Sequence, residues 1–342
     1  MTNAAQPAPV IMVEYIRLCI AQGDYDGAEK WLQKLEKVDP DSLYTISLRA
    51  RILVHNNQRA AVEPRVEEFA ARMEAMVRTD QARAALYQGL GSLYASIDAW
   101  KLAEKWYRKL YVTVPGTFEP LVASLVQQER ITEALEICQK EADHTNSPMP
   151  ALALIGALTA GKAAITEVVQ IERLIQKSLK DHPTDLRLLL GVATLRVLQG
   201  KTEEAIEHFR KVVQLNPRHV VALNNLATLL SEKADQRQEA LKLIDKAIAV
   251  TGSEAALYDT KGTILVLDGQ ADKALQYLKA AVDGKDNDPR YRFHLALAYR
   301  DLKEIEQAKS ELEKALKQNL EKEILTPSEQ KMLSELRSIL TP

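Results

Sequence analysis

The sequence predicts an all-α protein, an α-solenoid built of about nine helix–turn–helix units. Three observations predict it. Leucine (47) and alanine (44) supply 91 of the 342 residues, and these are the apolar residues best suited to helices. A near-identical octapeptide recurs, since Ala28–Leu35 and Ala103–Leu110 agree at six of eight positions. An alanine in the same phase returns at Ala205, Ala240, Ala274 and Ala308, with spacings of 35, 34 and 34 residues. Self-similarity at a fixed period of this size marks a repeat array. It displaces the roughly two or three globular domains that length alone would allow.

Each unit reads as two antiparallel helices joined by a tight turn. The second helix carries the phase alanine, with an aromatic three residues before it (Tyr25, Trp100) and a proline twelve after it (Pro40, Pro115). Phe209 and Pro217 continue the pattern after Ala205. The first helix carries a small residue twelve before the alanine: Gly91, Ala193, Gly262 and Ala296. Ala227 stands thirteen before Ala240 because of a one-residue insertion. Two small residues let the helix backbones approach, and the bulky apolar residues between them fill the groove. Gly23, Gly200 and Gly269, each five before the alanine, end the first helix. The late proline stops the second.

Nine units are expected, starting near residues 9, 43, 84, 118, 149, 186, 220, 255 and 289. The second lacks its alanine in phase, and Pro64 is placed in the first turn of its second helix. The fourth is short, with Ala134 only 31 after Ala103, and the fifth has Ile171 where alanine belongs, with Ser178 and Pro183 in the late positions. The expected organisation is a disordered or linker stretch over 1–8, four partly degenerate units over 9–142, a hinge over 143–150, five units over 151–325 and a capping helix over 326–342. Asp143–Pro150 has linker composition.

The two ends differ. Thr326-Pro327-Ser328-Glu329 reads as a capping box with proline at the first helical position. The helix after it sets Met332, Leu333, Leu336, Ile339 and Leu340 on one face, and Glu329, Lys331, Ser334, Glu335, Arg337 and Ser338 on the other. That is the profile of a solenoid cap, apolar inward and polar outward. The first helix is instead apolar nearly all round (Val10, Ile11, Met12, Val13, Ile16, Leu18, Cys19, Ile20). It needs cover on more than one side, which predicts upstream repeats or a second copy of the chain.

The 34-residue period and the small–aromatic–Ala–aromatic–Pro pattern resemble tetratricopeptide repeats over roughly residues 9 to 322. The fullest match pairs Tyr87, Leu90, Gly91 and Tyr94 with Ala103, Tyr107 and Pro115. The resemblance implies a right-handed superhelical α-solenoid whose first helices line a concave groove that takes an extended peptide or a partner helix. The groove candidates, by position, are Arg17, Arg51, Gln88, Arg187, Thr194, Asn224, Asn225, Thr228 and Asp259, with Glu14, Ser92 and Thr263 beside them. Asn225 holds the place where peptide-binding relatives carry asparagine, and an amide can donate and accept at once. The family's clamp for a C-terminal carboxylate needs two lysines, two asparagines and an arginine. The triplet starting at residue 186 offers Leu190, Thr194, Asn225, Ala256 and Thr260, so that ligand is not expected.

Little else invites chemistry. The 45 basic and 47 acidic residues leave a net charge of -2, with no basic stripe for nucleic acid. Cys19 and Cys138 read as buried small hydrophobes. No signal peptide or membrane span appears, so a cytoplasmic protein is expected. Gly156–Lys162 has phosphate-loop spacing, but Ala163 replaces the magnesium-binding hydroxyl and the preceding segment is helical. Asp283, Asp286 and Asp288 lack the glycine and glutamate of a calcium loop. His55, His144, His182, His208, His219 and His294 form no ligand-spaced pair with cysteines or carboxylates. Trp31, Trp106 and Tyr107 stand at core spacing. No catalytic residue, metal or cofactor is expected. The reading is a non-catalytic interaction scaffold for a protein partner, with no nucleic acid and no membrane. The alternatives are a substrate-presenting or regulatory segment of a larger enzyme, and self-assembly through the first helix.

Overall fold

A computed structural model describes residues 7–159, 165–284, 288–323, 325 and 327–340. Gly161-Lys162-Ala163, Asp286 and Thr326, named above, lie outside the described residues, as do residues 1–6. Among the described residues there are nineteen α-helices and no strand. They run α1 (Pro9–Ala21), α2 (Tyr25–Val38), α3 (Leu43–His55), α4 (Val62–Met76), α5 (Asp80–Ala95), α6 (Trp100–Thr113), α7 (Glu119–Gln127), α8 (Ile131–His144), α9 (Met149–Thr159) and α10 (Ile165–Asp181). They continue with α11 (Leu186–Leu198), α12 (Thr202–Leu215), α13 (Val220–Ser231), α14 (Arg237–Thr251), α15 (Ala255–Leu267), α16 (Ala271–Val282), α17 (Pro289–Asp301), α18 (Ile305–Lys317) and α19 (Pro327–Leu340). These are the nine expected pairs and the final helix.

The chain divides into two compact units, Met1–Asp181 and His182–Pro342. Within the segment 143–150, residues 145–148 connect α8 to α9, while 143–144 end α8 and 149–150 begin α9, all inside the first unit.

The crossing positions explain the spacing. Ala28, Ala103, Ala134, Ala205, Ala240, Ala274 and Ala308 are all fully buried. Their partners are equally tight. A Cβ added at Gly91 would stand 2.3 Å from the Tyr107 ring, and one at Gly262 would stand 2.4 Å from Leu278 Cγ. Ile171 fills the alanine place of the fifth pair and is fully buried, while Val62 is 3% exposed in the second.

The turn between helices has one recurring need. The residue five before the crossing alanine is left-handed in every pair but that of Ala240: Gly23, Gly200 and Gly269, but also Asp98, Glu129 and Lys303 (φ 55 to 64°). The turn geometry is therefore kept even where glycine is not. The longer α13–α14 connection holds a 3-10 turn, Ala234–Gln236, which accommodates the inserted residue. Another, Arg59–Ala61, precedes α4, and Pro64 sits in the first turn of α4, where a missing N–H costs nothing.

One boundary and one facing differ from expectation. The third pair starts at Asp80, not near 84, because the Thr79 hydroxyl accepts from Ala82 N–H at 3.1 Å and caps α5 one turn earlier. Glu329 is not on the water-facing side of α19; its side chain is 16% exposed and meets His294. Leu333 and Leu336 do bury against Phe293, Leu297 and Leu320, as a cap requires.

Two glycines test the crossing. Gly91→Ala gains about 1 kcal/mol of helix propensity but overpacks a site where crowding typically costs about 1–3 kcal/mol. A net loss in chemical denaturation is expected. Gly156→Ala, with nothing within 4 Å of the added Cβ, is expected to gain about 0.5–1 kcal/mol. Equal effects at the two positions would contradict the crossing constraint.

Candidate functional site

In the second unit, the first helices α13, α15 and α17, with α19, enclose a cavity of about 260 Å³. Consecutive first helices lie in register, so residues one repeat apart face each other. Asn224, Asp259, His294 and Glu329 are each 35 residues apart and stand on α13, α15, α17 and α19 in turn. Asn225 and Thr228 from α13, Thr260 and Thr263 from α15, and Arg290 and Tyr291 from α17 complete the lining, with Ala256, Ser231 and Ile264.

His294 is the electrostatic centre. It is buried, and its Nδ1 lies 2.8 and 2.9 Å from the two oxygens of Asp259. Its Nε2 lies 3.1 Å from Glu329 Oε1. Burial opposes a charge on the ring, but Asp259 and then Glu329 outweigh it and raise the pKa from 6.5 to about 10. The imidazolium then donates to a carboxylate on each side. Arg290 does not join this chain of contacts. Its Nε bonds both Asp288 oxygens at 3.0 Å, and Nη2 also bonds Asp288. Burial works against the Asp288 charge, but Arg290 holds the carboxyl below its ordinary range. Asp288 also caps α17 by accepting from Arg290 N–H at 2.9 Å.

Of the nine groove candidates, the structure brings four to this cavity: Asn224, Asn225, Thr228 and Asp259. Asp259 differs from expectation, since it is buried and engaged with His294 rather than open to a ligand on all sides. Arg187 and Thr194 are exposed on α11, outside the cavity lining. Arg187 pairs with Asp185 at 3.2 Å, and the Thr194 hydroxyl donates to Leu190 O at 3.0 Å. Arg17, Arg51 and Gln88 are exposed in the first unit. There Arg17 pairs with Glu14 at 2.8 Å and Gln88 donates to Ser92 Oγ at 3.3 Å. His294, Glu329 and Arg290 were not among the candidates. The signal that could have found the first two is the 35-residue spacing itself.

Other expected residues fall where packing wants them. Trp106 and Tyr107 are buried in the core. Cys19 and Cys138 are free and buried, and burial pushes the Cys138 thiol up. Among the described residues no group of His, Cys, Asp and Glu could hold a metal ion. His294 turns opposite nitrogens to Asp259 and Glu329, so the three do not converge on one point. No described helix is long and apolar enough to cross a membrane.

Family models match two stretches: tetratricopeptide repeat over 186–219, and anaphase-promoting complex, cyclosome, subunit 3 over 233–315. The chain carries tetratricopeptide repeats. A tetratricopeptide-repeat-containing protein of Pseudomonas aeruginosa, PA4667, is 31% identical over 108 residues, covering 32% of this chain and 18% of that protein. DnaJ homolog subfamily C member 3 of Gallus gallus is 25% identical over 175 residues, covering 47% of this chain and 33% of its own. The chain thus matches a third or less of the length of these relatives. A crystal structure of the APC/C hetero-tetramer Cut9-Hcn1 covers 96% of this chain and 91% of its own, at 11% identity and a TM-score of 0.48. The tetratricopeptide-repeat fold is that of a protein–protein interaction scaffold.

The charge on His294 makes stability of this tetratricopeptide-repeat chain fall with rising pH. The folded pKa of about 10 exceeds the ordinary 6.5. The contribution is therefore complete below about 6.5 and is lost as pH rises through about 10. The thermal midpoint is expected to drop over that window, and to drop less in His294→Gln. An identical decline in both proteins would show that His294 is not the group responsible.

Proposed function

We propose that the chain is a non-catalytic scaffold that holds an extended segment of a partner protein against the first helices of its second unit. The observation that carries this is the convergence of Asn224, Asn225, Thr228 and Asp259, chosen by repeat position alone, on one cavity. The amide of Asn225 can pair with a peptide backbone whatever its sequence. The family description over 233–315, a subunit of a multiprotein complex, supports a partner that is itself a protein. Panning a random peptide library on the intact chain tests it. Retained peptides are expected to weaken by about tenfold on Asn225→Ala, with the unfolding midpoint unchanged. Lys246→Ala, on the second helix α14, is expected to have no effect. The reverse pattern would place the ligand elsewhere.

The exposed apolar stripe on α1 favours a second reading, self-assembly. Val10, Ile11 and Leu18 are 73%, 61% and 52% exposed, a concentration that in a soluble chain marks an interaction surface. Sedimentation is expected to show a concentration-dependent larger species that Leu18→Glu abolishes. A single monomeric species in the unaltered chain would contradict this reading.

A further inference from the structure

The cavity wall presents acceptors that no donor meets and, once the Asp288 partner of Arg290 is counted, excess negative charge. Asp259 is 7% exposed, yet its carboxylate, with room for about four donors, accepts from one N–H, that of His294 Nδ1. Two further oxygens of the same lining, Asn224 Oδ1 and Thr263 Oγ1, are buried with no hydrogen-bond partner. Such groups are costly to leave unmet. The charged donors of the lining, and the Thr228 hydroxyl, are committed elsewhere. His294 Nε2 serves Glu329, the Arg290 fork serves Asp288, and the Thr228 hydroxyl serves Asn224 O. The charges do not balance either. Asp288, just outside the lining, neutralises Arg290, and the His294 imidazolium then stands between two carboxylates, so one negative charge remains.

A cation with several N–H groups meets both deficits. The volume is about 260 Å³, below the range of about 300–1,000 Å³ typical of small-molecule pockets, so it suits one side chain rather than a cofactor. We propose that this cavity takes a lysine or arginine side chain of the bound segment. Its ammonium or guanidinium sits on Asp259, with Asn224 Oδ1 and Thr263 Oγ1 as further acceptors. The partner is therefore a basic peptide, the charge opposite to that of an acidic C-terminal tail. This rests on the groove reading above and adds the ligand's chemistry to it.

Peptides panned on the intact chain are expected to carry lysine or arginine at one fixed position. Replacing that residue by norleucine keeps the apolar stem and removes the charge, and is expected to weaken binding by about tenfold or more. Asp259→Asn should do the same to the basic peptide. Because Asp259 also supports His294, Thr263→Val is the companion variant. It leaves the His294 contacts intact and is expected to weaken the basic peptide about threefold and the norleucine analogue not at all. Peptides that depend on Asn225 but show no basic position, or norleucine analogues that bind equally well, would overturn the proposal and leave the groove reading standing. Retention of no peptide would overturn both.

Discussion

The structure depends on one close crossing repeated along the chain, where a small residue of the first helix meets a bulky side chain one turn past the buried alanine of the second, as Gly91 meets Tyr107 and Gly262 meets Leu278. Ala28, Ala103, Ala205, Ala240, Ala274 and Ala308 have no exposed surface, and the space opposite Gly91 or Gly262 is already taken by Tyr107 or Leu278. A larger residue at either side would separate the helix axes, and interiors packed to crystal-like density absorb little of that strain. Where the alanine is absent, Ile171 and Val62 still bury, so the local chain adjusts rather than the rule failing. Stability in such an array comes from each pair and its neighbours.

That contact has a functional consequence. By fixing each pair, it sets successive first helices in register and stacks equivalent positions. Asn224, Asp259, His294 and Glu329 become neighbours only through this stacking. An imidazolium between two carboxylates is costly to bury, and hydrophobic replacements of such groups are often no less stable. Its value here is directional. Glu329 can meet His294 only when α19 docks in one register, so the polar contact specifies the placement of a helix whose apolar side chains Leu333 and Leu336 would tolerate slippage. The same contact leaves Asp259 with spare acceptor sites at the cavity wall.

Most of the fold was legible in the sequence because its determinants are local and periodic. Alanine phase, turn glycines and late prolines mark helices directly, and the final helix showed Leu333 and Leu336 as its inward side. The start of α5 was misplaced because a cap at Thr79 lengthens the helix without altering the hydrophobic period. The site was half legible. Asn224, Asn225, Thr228 and Asp259 follow from repeat position. His294 and Glu329 escaped because a buried ion pair between equivalent positions has no local pattern. Glu329 also belongs to a helix that looks merely amphipathic by itself, where a glutamate on the polar face reads as solvated. The 35-residue spacing of Asp259, His294 and Glu329 was present, but its meaning needs the stacking of helices to be known.

The most direct measurement of ligand placement is paramagnetic relaxation by nuclear magnetic resonance, using a panned peptide that carries a nitroxide at one end. Broadening confined to amides of α13, α15 and α17, strongest around Asn224, Asn225 and Asp259, is the predicted result. Broadening centred on the second helices α12, α14 and α16 would contradict a ligand held on the first-helix face.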